Sequence, residues 1–357
     1  MKKIKEKKPK VKKKFRIHFF TFLIILMDLC VISGLVVINS DKFKSFWIPT
    51  AMTTMTHKYL AYTLYPEDMV NKIMSENYIE QVTDAVNLDD VVIGDVSEKT
   101  HYTSKYEEEL YTRDEGNDVY KIIHLDEGKF KGYLTVIYDP SDVELAIPER
   151  LGRAGESVNT MCKKNGGLVG INGGGFEDLD GWGNGSVPYG AIIKDGNLVW
   201  NHAGGSGTLI GFTKEHKMWI TPLSPEEAIA QGMDDAVEFG PNLIVNGKVA
   251  KIHGDGGWGI APRTVIAQRR DGIVLFLIIE GRVIGSIGAT MNDVIEVLLR
   301  YGAYNAANLD GGASCTMSVN GKLYNRPSAG GEYGGRTVSN AWIVTNRNNK
   351  PCAGCSN

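Results

Sequence analysis

Several short clusters in the second half of the chain combine glycine with charged or amide side chains. The first four are Ile171–Phe176, Ala261–Thr264, Glu280–Arg282 and Asn308–Met317, and a fifth, Asn325–Asn340, closes the region. Each of the first four adjoins a run of β-type residues. Glycine at a strand end exposes backbone N–H groups and lets a ligand approach the main chain closely. These clusters are therefore candidate parts of one site presented by a rigid sheet scaffold.

The charged residues of the clusters indicate the chemistry. Asp310 and Glu280 supply carboxylates that can act as acid, base or nucleophile. The planar guanidinium groups of Arg263, Arg282 and Arg336 suit a phosphate or a carboxylate. Together they predict a site that processes an anionic substrate. For any one cluster alone, a tight turn with a surface ion pair is the simpler interpretation.

Familiar cofactor and metal motifs are missing from the sequence. The glycines after Asn172 have the wrong spacing for a dinucleotide fingerprint, and no phosphate-binding P-loop, H-E-x-x-H or G-x-S-x-G motif is present. Asp178–Asn184 resembles a calcium loop without its distal glutamate. His202, His216 and His253 lack metal-ligand spacing. We expect no cofactor and no resident metal, with a divalent cation left open.

Charge is distributed very unevenly along the 357 residues. Residues 1–16 hold nine Lys, one Arg and one Glu, a net charge of +9, although the whole chain carries −3. The remaining residues are thus strongly acidic, which argues against nucleic acid as a partner. Hydrophobic residues make up 43% of the chain, as in an ordinary globular protein.

The N-terminus predicts a membrane anchor. Residues 17–38 are almost wholly apolar and, as a helix, would extend about 33 Å, enough to cross a bilayer core. The basic flank predicts residues 1–16 as a cytoplasmic tail and places the body outside. A cleaved signal peptide is the alternative, although no typical cleavage site follows. Cys352 and Cys355, in the C-terminal tail, suggest a local disulfide or a tail without function.

Residues 39–116 are predicted as an extracytoplasmic stalk, 117–347 as one catalytic domain and 348–357 as a tail. Within the domain, short β-type runs alternate with glycine-containing turns such as Asp195-Gly196 and Asn246-Gly247. Ser224-Pro225 and the Thr290/Asp293 pair indicate the starts of two helices. The resulting expectation is a sheet-rich α+β domain with a few flanking helices, preceded by one transmembrane helix.

Taken in order, the motifs resemble those of the phosphodiester glycosidase family over roughly residues 117–347. The matching segments are Ile171–Phe176, Phe239–Gly247, Ala261–Thr264, Glu280–Arg282, Asn308–Met317 and Arg336–Val344. Three departures stand out: Glu280 replaces the family's usual aspartate, Ala313 replaces a glycine, and Cys315 replaces a small or hydroxyl residue. The extra methylene of Glu280 moves its carboxylate further from the main chain than the family's aspartate would place it.

The resemblance implies hydrolysis of a sugar-1-phosphodiester, and its bacterial members are linked to exopolysaccharide. It implies that Asp310 and Glu280 are catalytic. The residues that it implies in substrate or phosphate binding are Asn172, Gly173, Gly174, Arg263, Arg282, Gly311, Gly312, Ser314, Thr316 and Arg336. Two alternatives remain open. The domain could bind a surface polysaccharide without cleaving it, with Trp182, Trp200 and Trp258 as stacking platforms, or it could transfer the glycosyl group to an acceptor other than water.

Overall fold

The computed structural model describes residues 11–54, 57–94, 101–178, 183–330 and 335–352, with the backbone alone for residues 11–18. The helices of these residues are α1 (Val11–Asn39), α2 (Asp41–Met52), α3 (Tyr59–Leu64), α4 (Glu67–Glu76), α5 (Lys105–Tyr111), α6 (Val158–Lys164), α7 (Pro225–Ala230) and α8 (Met291–Arg300). Three short 3-10 helices cover Leu88–Asp90, Pro140–Asp142 and Gly312–Ser314.

The strands are β1 (Tyr78–Glu80), β2 (Tyr120–Asp126), β3 (Lys131–Ile137), β4 (Val143–Ala146), β5 (Val169–Asn172), β6 (Gly190–Lys194), β7 (Asn197–His202), β8 (Leu209–Thr213), β9 (Met218–Thr221), β10 (Met233–Glu238), β11 (Asn242–Val245), β12 (Lys248–Val249), β13 (Lys251–His253), β14 (Arg263–Gln268), β15 (Val274–Ile279), β16 (Asn305–Asn308), β17 (Met317–Val319), β18 (Lys322–Leu323) and β19 (Ala341–Val344). Neighbouring strands pair antiparallel throughout the described sheets.

A seven-stranded sheet, ordered β12-β11-β16-β14-β15-β3-β2, forms the centre of the domain. Because side chains alternate between the two faces of a strand, β15 serves two cores. Val274, Phe276 and Ile278 belong to one hydrophobic cluster, whereas Leu275 and Leu277 belong to the other. Both faces of this sheet are therefore covered, which explains the uninterrupted apolar run of β15.

Two five-stranded sheets, β7-β6-β10-β8-β9 and β18-β17-β5-β19-β4, share the first of these cores. Ile192 comes from one of them and Trp342 from the other, and both are almost fully buried with Phe276. The opposite face of the central sheet packs against α8, through Val294 and Leu298. This arrangement confirms the sheet-rich α+β fold with flanking helices.

Local sequence signals behave as their chemistry predicts. Asp195 and Gly196, and likewise Asn246 and Gly247, adopt the positive φ angles of tight hairpin turns. Thr290 and Asp293 form a reciprocal capping box at the start of α8, and Ser224 caps α7 in the same way. The predicted turns and helix starts are confirmed.

Helix α1 contains the apolar stretch Phe19–Asn39, which is long and apolar enough to cross a membrane by length and composition. Helices α2, α3 and α4 follow at once and pack on one another around Ile48, Ala61 and Tyr65. The Tyr65 hydroxyl donates a hydrogen bond to the Ile38 carbonyl at 2.6 Å. The end of the apolar helix is thus fastened to a small helical layer.

Residues 39–116, expected to be a stalk, are largely folded and packed against the domain. Strand β1 pairs with β13, Val86 enters the core shared by the three larger sheets, and α5 packs Leu110 against the central sheet. Apolar contacts between distant segments, which no local pattern reveals, account for this difference. Cys352 is disulfide-bonded, and Cys355 lies outside the described residues.

This packing predicts different consequences for two truncations. A chain of residues 37–357, which keeps the Ile38 carbonyl that Tyr65 contacts, should keep its thermal unfolding midpoint. Residues 101–357 should unfold at least about 5 °C lower, because β13 and the core lose their partners. Circular dichroism melts of both chains provide the measurement. Equal midpoints would restore the view that the part of the predicted stalk (39–116) before residue 101 is only a spacer.

Candidate active site

The topology of the central sheet gathers most of the candidate residues at one edge. Strands β16, β14 and β15 are neighbours, and β14 runs opposite to the other two. The start of β14 therefore lies beside the ends of β15 and β16. Arg263 opens β14 and pairs with Ile279 at the end of β15. The segments carrying Arg282 and Asp310 leave the sheet at this same edge.

A cavity of about 580 Å³ opens at this edge. Its lining includes Asp178, Tyr189, Phe239, Trp258, Arg263, Arg282, Asp310, Gly311, Gly312, Ser314 and Arg336. Three guanidinium groups and two carboxylates thus face one space. This is the distribution of charge expected of a site for a phosphorylated substrate.

Asp310 is the carboxylate whose protonation the site alters most clearly. Burial raises its pKa to about 6, while the hydrogen bond with Ser314 and the charge of Arg336 oppose the rise. The pKa increase indicates that the cavity desolvates this group more than it neutralises it. At neutral pH Asp310 is mostly ionised, yet close to its titration range.

Arg263 is almost completely buried and is held by main-chain carbonyls. Its Nε donates to Ala289 at 3.0 Å, and Nη2 donates to Trp258 at 2.8 Å and to Gly259 at 2.6 Å. Burial, together with the charge of Arg282, lowers the pKa of Arg263 to about 10, so it stays cationic at neutral pH. No carboxylate neutralises it directly among the described residues.

The other two arginines differ in how they are held. Arg282 adopts a positive φ of 58° and makes no ion pair within the described part of the chain. Arg336 donates from Nη2 to Asp178 at 2.6 Å and lies over the Phe176 ring at 4.8 Å. Arg282 is therefore available for a ligand, whereas Arg336 is already fixed in the cavity wall.

The Asn172 carboxamide connects the elements around the cavity. Its Nδ2 donates to the Asp310 carbonyl at 2.6 Å, and its Oδ1 accepts from the Thr264 hydroxyl at 2.8 Å and the Thr316 N–H at 3.1 Å. The side chain is fully buried and does not line the cavity. Asn172 therefore positions Asp310, and the structure does not bring it into the expected contact with substrate.

Gly173 and Gly174 also have structural contacts. The N–H of Gly173 donates to the Asn340 carbonyl, and the N–H of Gly174 donates to the Asn340 Oδ1. The Gly173 carbonyl accepts from the N–H of Asp310. A Cβ at Gly173 would lie 2.0 Å from the Asn340 side chain, which explains the glycine. Thr316 is buried behind the cavity, whereas Gly311, Gly312 and Ser314 line it.

Glu280 is not brought to the cavity. Its carboxylate accepts from the main-chain N–H of Arg326 at 2.7 Å and from Nε and Nη2 of the same residue at 2.9 and 2.6 Å. Glu280 is 1% exposed, so this two-pronged ion pair offsets its desolvation. Glu280 is therefore a structural partner of Arg326, and the structure does not place its carboxylate with Asp310 in the cavity lining, as a catalytic role would require.

Other cavity residues were not assigned to the site from the sequence. Asp178 stood out only as part of a loose calcium loop, and residues 179–182 of that loop, including Trp182, lie outside the described residues. Of the two other tryptophans considered, Trp258 lines the cavity and Trp200 does not. Thr53, Thr54 and His57, from the region after α2, also line it.

No group of three or more His, Cys, Asp or Glu side chains that could hold a metal ion occurs in the described ranges. Cys315 lies beneath the site with its thiol directed to the carbonyls of Arg263 and Ile279. Burial raises its pKa to about 12, so the thiol stays protonated. Its substitution for a small residue is accommodated by packing.

Comparison with known proteins identifies the family. The profile of the phosphodiester glycosidase family matches residues 165–345, half of the chain, including the cavity arginines and Asp310. The chain belongs to this family. The SPbeta prophage-derived uncharacterized protein YomE of Bacillus subtilis is 30% identical over 184 residues, which is 49% of this chain and 28% of that protein. The chain thus spans under a third of that curated relative.

The fold agrees with a solved family structure. The catalytic domain of zebrafish N-acetylglucosamine-1-phosphodiester alpha-N-acetylglucosaminidase, auto-inhibited by its pro-peptide, superposes with a TM-score of 0.53 at 23% identity. The match covers 64% of this chain and 82% of the zebrafish domain. This similarity supports the sheet architecture of the glycosidase domain.

The Asn172 network predicts a large effect for a small substitution. Asn172→Ala should lower the free energy of unfolding by about 2–4 kcal/mol, because it leaves buried polar groups without partners. Chemical denaturation measures this. Asn165→Ala, which removes one hydrogen bond at the end of α6, is the control and should cost about 1 kcal/mol or less. Equal effects of the two changes would contradict the network's importance.

The position of Glu280 predicts a stability defect with preserved chemistry. Glu280→Gln should weaken the Arg326 pair and lower the free energy of unfolding by about 1–3 kcal/mol. Turnover of a sugar phosphodiester should stay within tenfold of the parent. A loss of a thousandfold or more in a variant of unchanged stability would return Glu280 to a catalytic role.

Proposed function

We propose that the protein hydrolyses a sugar-1-phosphodiester, breaking the bond between the anomeric carbon and the phosphate oxygen. The observation that carries the proposal is Asp310, facing a cavity together with Arg263, Arg282 and Arg336. Membership of the phosphodiester glycosidase family supports the same reaction. The products are a sugar with a free anomeric hydroxyl and a phosphomonoester.

The residues suit a reaction whose leaving group is a phosphate ester. Because such a group departs readily, a strong general acid matters less than in ordinary glycosidases. Arg263 and Arg282 stabilise the growing negative charge on the departing phosphate. The Asp310 carboxylate faces the positively charged anomeric carbon, as nucleophile or as base for water. The charge of Arg336, which is held by Asp178, offsets part of the cost of desolvating the Asp310 carboxylate, and Arg336 contributes to phosphate binding.

The substrate that we propose is a glycan of the cell surface or exopolysaccharide type. The apolar stretch of α1 supports an anchored protein, and the lysine-rich residues 1–16 favour a cytoplasmic N-terminus with the catalytic domain outside. A cleaved signal peptide would release the same domain in soluble form. The mass of the mature chain distinguishes the two.

One observation favours a second function. Because Glu280 is paired with Arg326 away from the cavity, the acidic groups that line it among the described residues are Asp310 and Asp178. Asp178 is itself paired with Arg336. A polysaccharide-binding domain without turnover would tolerate this arrangement, with Trp258 as a stacking surface. Transfer to a non-water acceptor uses the same residues and is recognised by its glycosylated product.

Asp310→Asn tests the proposal. Turnover of nucleoside-diphosphate sugars or para-nitrophenyl sugar phosphodiesters by the full chain in detergent should fall at least about a thousandfold.

With the parent, kcat/KM should rise about tenfold per pH unit below pH 6 and level off above it, because the ionised carboxylate is the active form. Activity that falls as pH rises through 6 would assign Asp310 as an acid.

A thermal melt at pH 8 shows whether the Asp310→Asn variant is folded, and the pKa of Asp310 predicts its result. The pKa of Asp310 is raised in the folded state, so its ionisation opposes folding above the unfolded-state pKa and the penalty persists at pH 8. Asp310→Asn should therefore melt no lower than the parent at pH 8. A parallel assay with EDTA reports any metal requirement. Binding of glycan by the parent with no turnover would favour the second function.

A further inference from the structure

A second cavity, of about 490 Å³, lies next to the first. The aromatic residues Tyr189, Phe239 and Trp258 line both cavities, so the two cavities adjoin at these side chains. The far side of the second cavity comes from Met74–Gln81, outside the family-matched residues 165–345. This part of the cavity therefore belongs to the chain's own N-terminal segment.

The two cavities differ sharply in charge. Three arginines line the first, whereas the lining of the second, within the described residues, includes no Lys, Arg or His and one carboxylate, Glu238. A phosphate group is attracted to the first cavity and disfavoured beside Glu238. The end of a ligand that extends from the first cavity into the second is therefore not anionic, and a neutral, hydroxyl-rich group fits there.

The lining of the second cavity has the chemistry that binds sugar rings. Tyr78 is 48% exposed and has one face stacked on His253, with centroids 4.3 Å apart, so its aromatic surface is held in place. Gln81 accepts a hydrogen bond from the Asn242 N–H through Oε1 at 2.8 Å, and its Nε2 donates to no described residue. Aromatic faces beside spare amide donors suit a polyhydroxylated ring.

Glu238 completes this set as an oriented acceptor. Its Oε2 accepts the N–H of Ala191 at 3.0 Å, and its Oε1 accepts the N–H of Gly207. A Cβ at Gly205 would meet the carboxylate at 2.1 Å, so glycine there leaves room for it. A carboxylate has about four acceptor positions, which leaves capacity for ligand hydroxyl groups.

We propose that the second cavity is a subsite for a second, neutral sugar unit, joined to the sugar whose phosphodiester lies in the first cavity. The substrate class is then an oligosaccharide-1-phosphodiester, with the phosphate at its reducing end. The inference rests on the proposed function and makes it more specific. Residues Tyr78, Gln81 and Glu238 determine the preference for a longer glycan.

The test compares methyl phosphodiesters of one sugar and of the matching disaccharide, in glucose, galactose and N-acetylglucosamine series. With the full chain in detergent, kcat/KM should be at least about tenfold higher for the disaccharide ester of the sugar that is cleaved. Tyr78→Ala and Gln81→Glu should remove this preference and change the monosaccharide rate less than twofold. Gln81→Glu keeps the acceptor for Asn242, so the local fold is retained.

Tyr62→Ala, at a tyrosine of α3 with 44% exposure that lines neither cavity, is the matched control and should keep the preference. Equal kcat/KM for the two esters, or a preference that survives both cavity variants, overturns the subsite and leaves the proposed hydrolysis standing. If neither ester is cleaved, the proposed hydrolysis fails. Saturation-transfer NMR with cellobiose, lactose and diacetylchitobiose then decides the subsite: binding lost in Tyr78→Ala supports it, and no binding overturns it.

Discussion

The carboxamide of Asn172 is the interaction on which the cavity depends. Asn172 is the last residue of β5, in a five-stranded sheet. Its side chain is nevertheless hydrogen-bonded to Thr264 in the central sheet and to the main chain of Asp310. Together with the bond from the Asp310 N–H to the Gly173 carbonyl, it fixes the relative position of two sheets at the place where the charged residues meet. An apolar contact could not do this, because dispersion and hydrophobic forces have little directional preference. The buried amide does, since its hydrogen bonds fix both distance and angle.

A second constraint is electrostatic. Arg263 is stabilised by three main-chain carbonyls and Arg282 makes no described ion pair, so the cavity holds positive charge that the protein does not fully neutralise. Asp310 is kept ionisable within it by Ser314 and Arg336, despite the cost of burial. Such an arrangement favours an anion placed between these arginines and disfavours other occupants. It also explains why the overall acidic body does not conflict with an anionic substrate, because local potentials dominate inside a cleft.

The segment that precedes the family-matched residues contributes to the lining of both cavities. Thr53, Thr54 and His57 line the first cavity, and residues of Met74–Gln81 line the second. Both segments lie between the apolar stretch of α1 and the family-matched residues. Thr50 packs against Gly259, whose carbonyl accepts a hydrogen bond from Arg263, so the helical layer also supports the position of Arg263 in the cavity. In this chain the family-matched residues supply Asp310 and the three arginines, and the preceding segment contributes to the lining of both cavities.

By itself the sequence determined what depends on near neighbours or on composition. Hairpin turns at Asp195-Gly196 and Asn246-Gly247, the capping boxes of α7 and α8, the apolar N-terminal helix and the ordered family motifs all follow from residues a few positions apart. Tertiary structure decided which motif residues share a cavity. Asn172 and Glu280 carry the same kind of local signal as Asp310, a polar side chain beside a glycine turn at a strand end. The packing of separate sheets decided that Asn172 holds the main chain in place, that Glu280 pairs with Arg326 and that Asp310 faces the cavity. The hydrogen-bonding partners of Asn172 and Glu280 lie up to 144 residues away along the chain, so no short-range pattern encodes them.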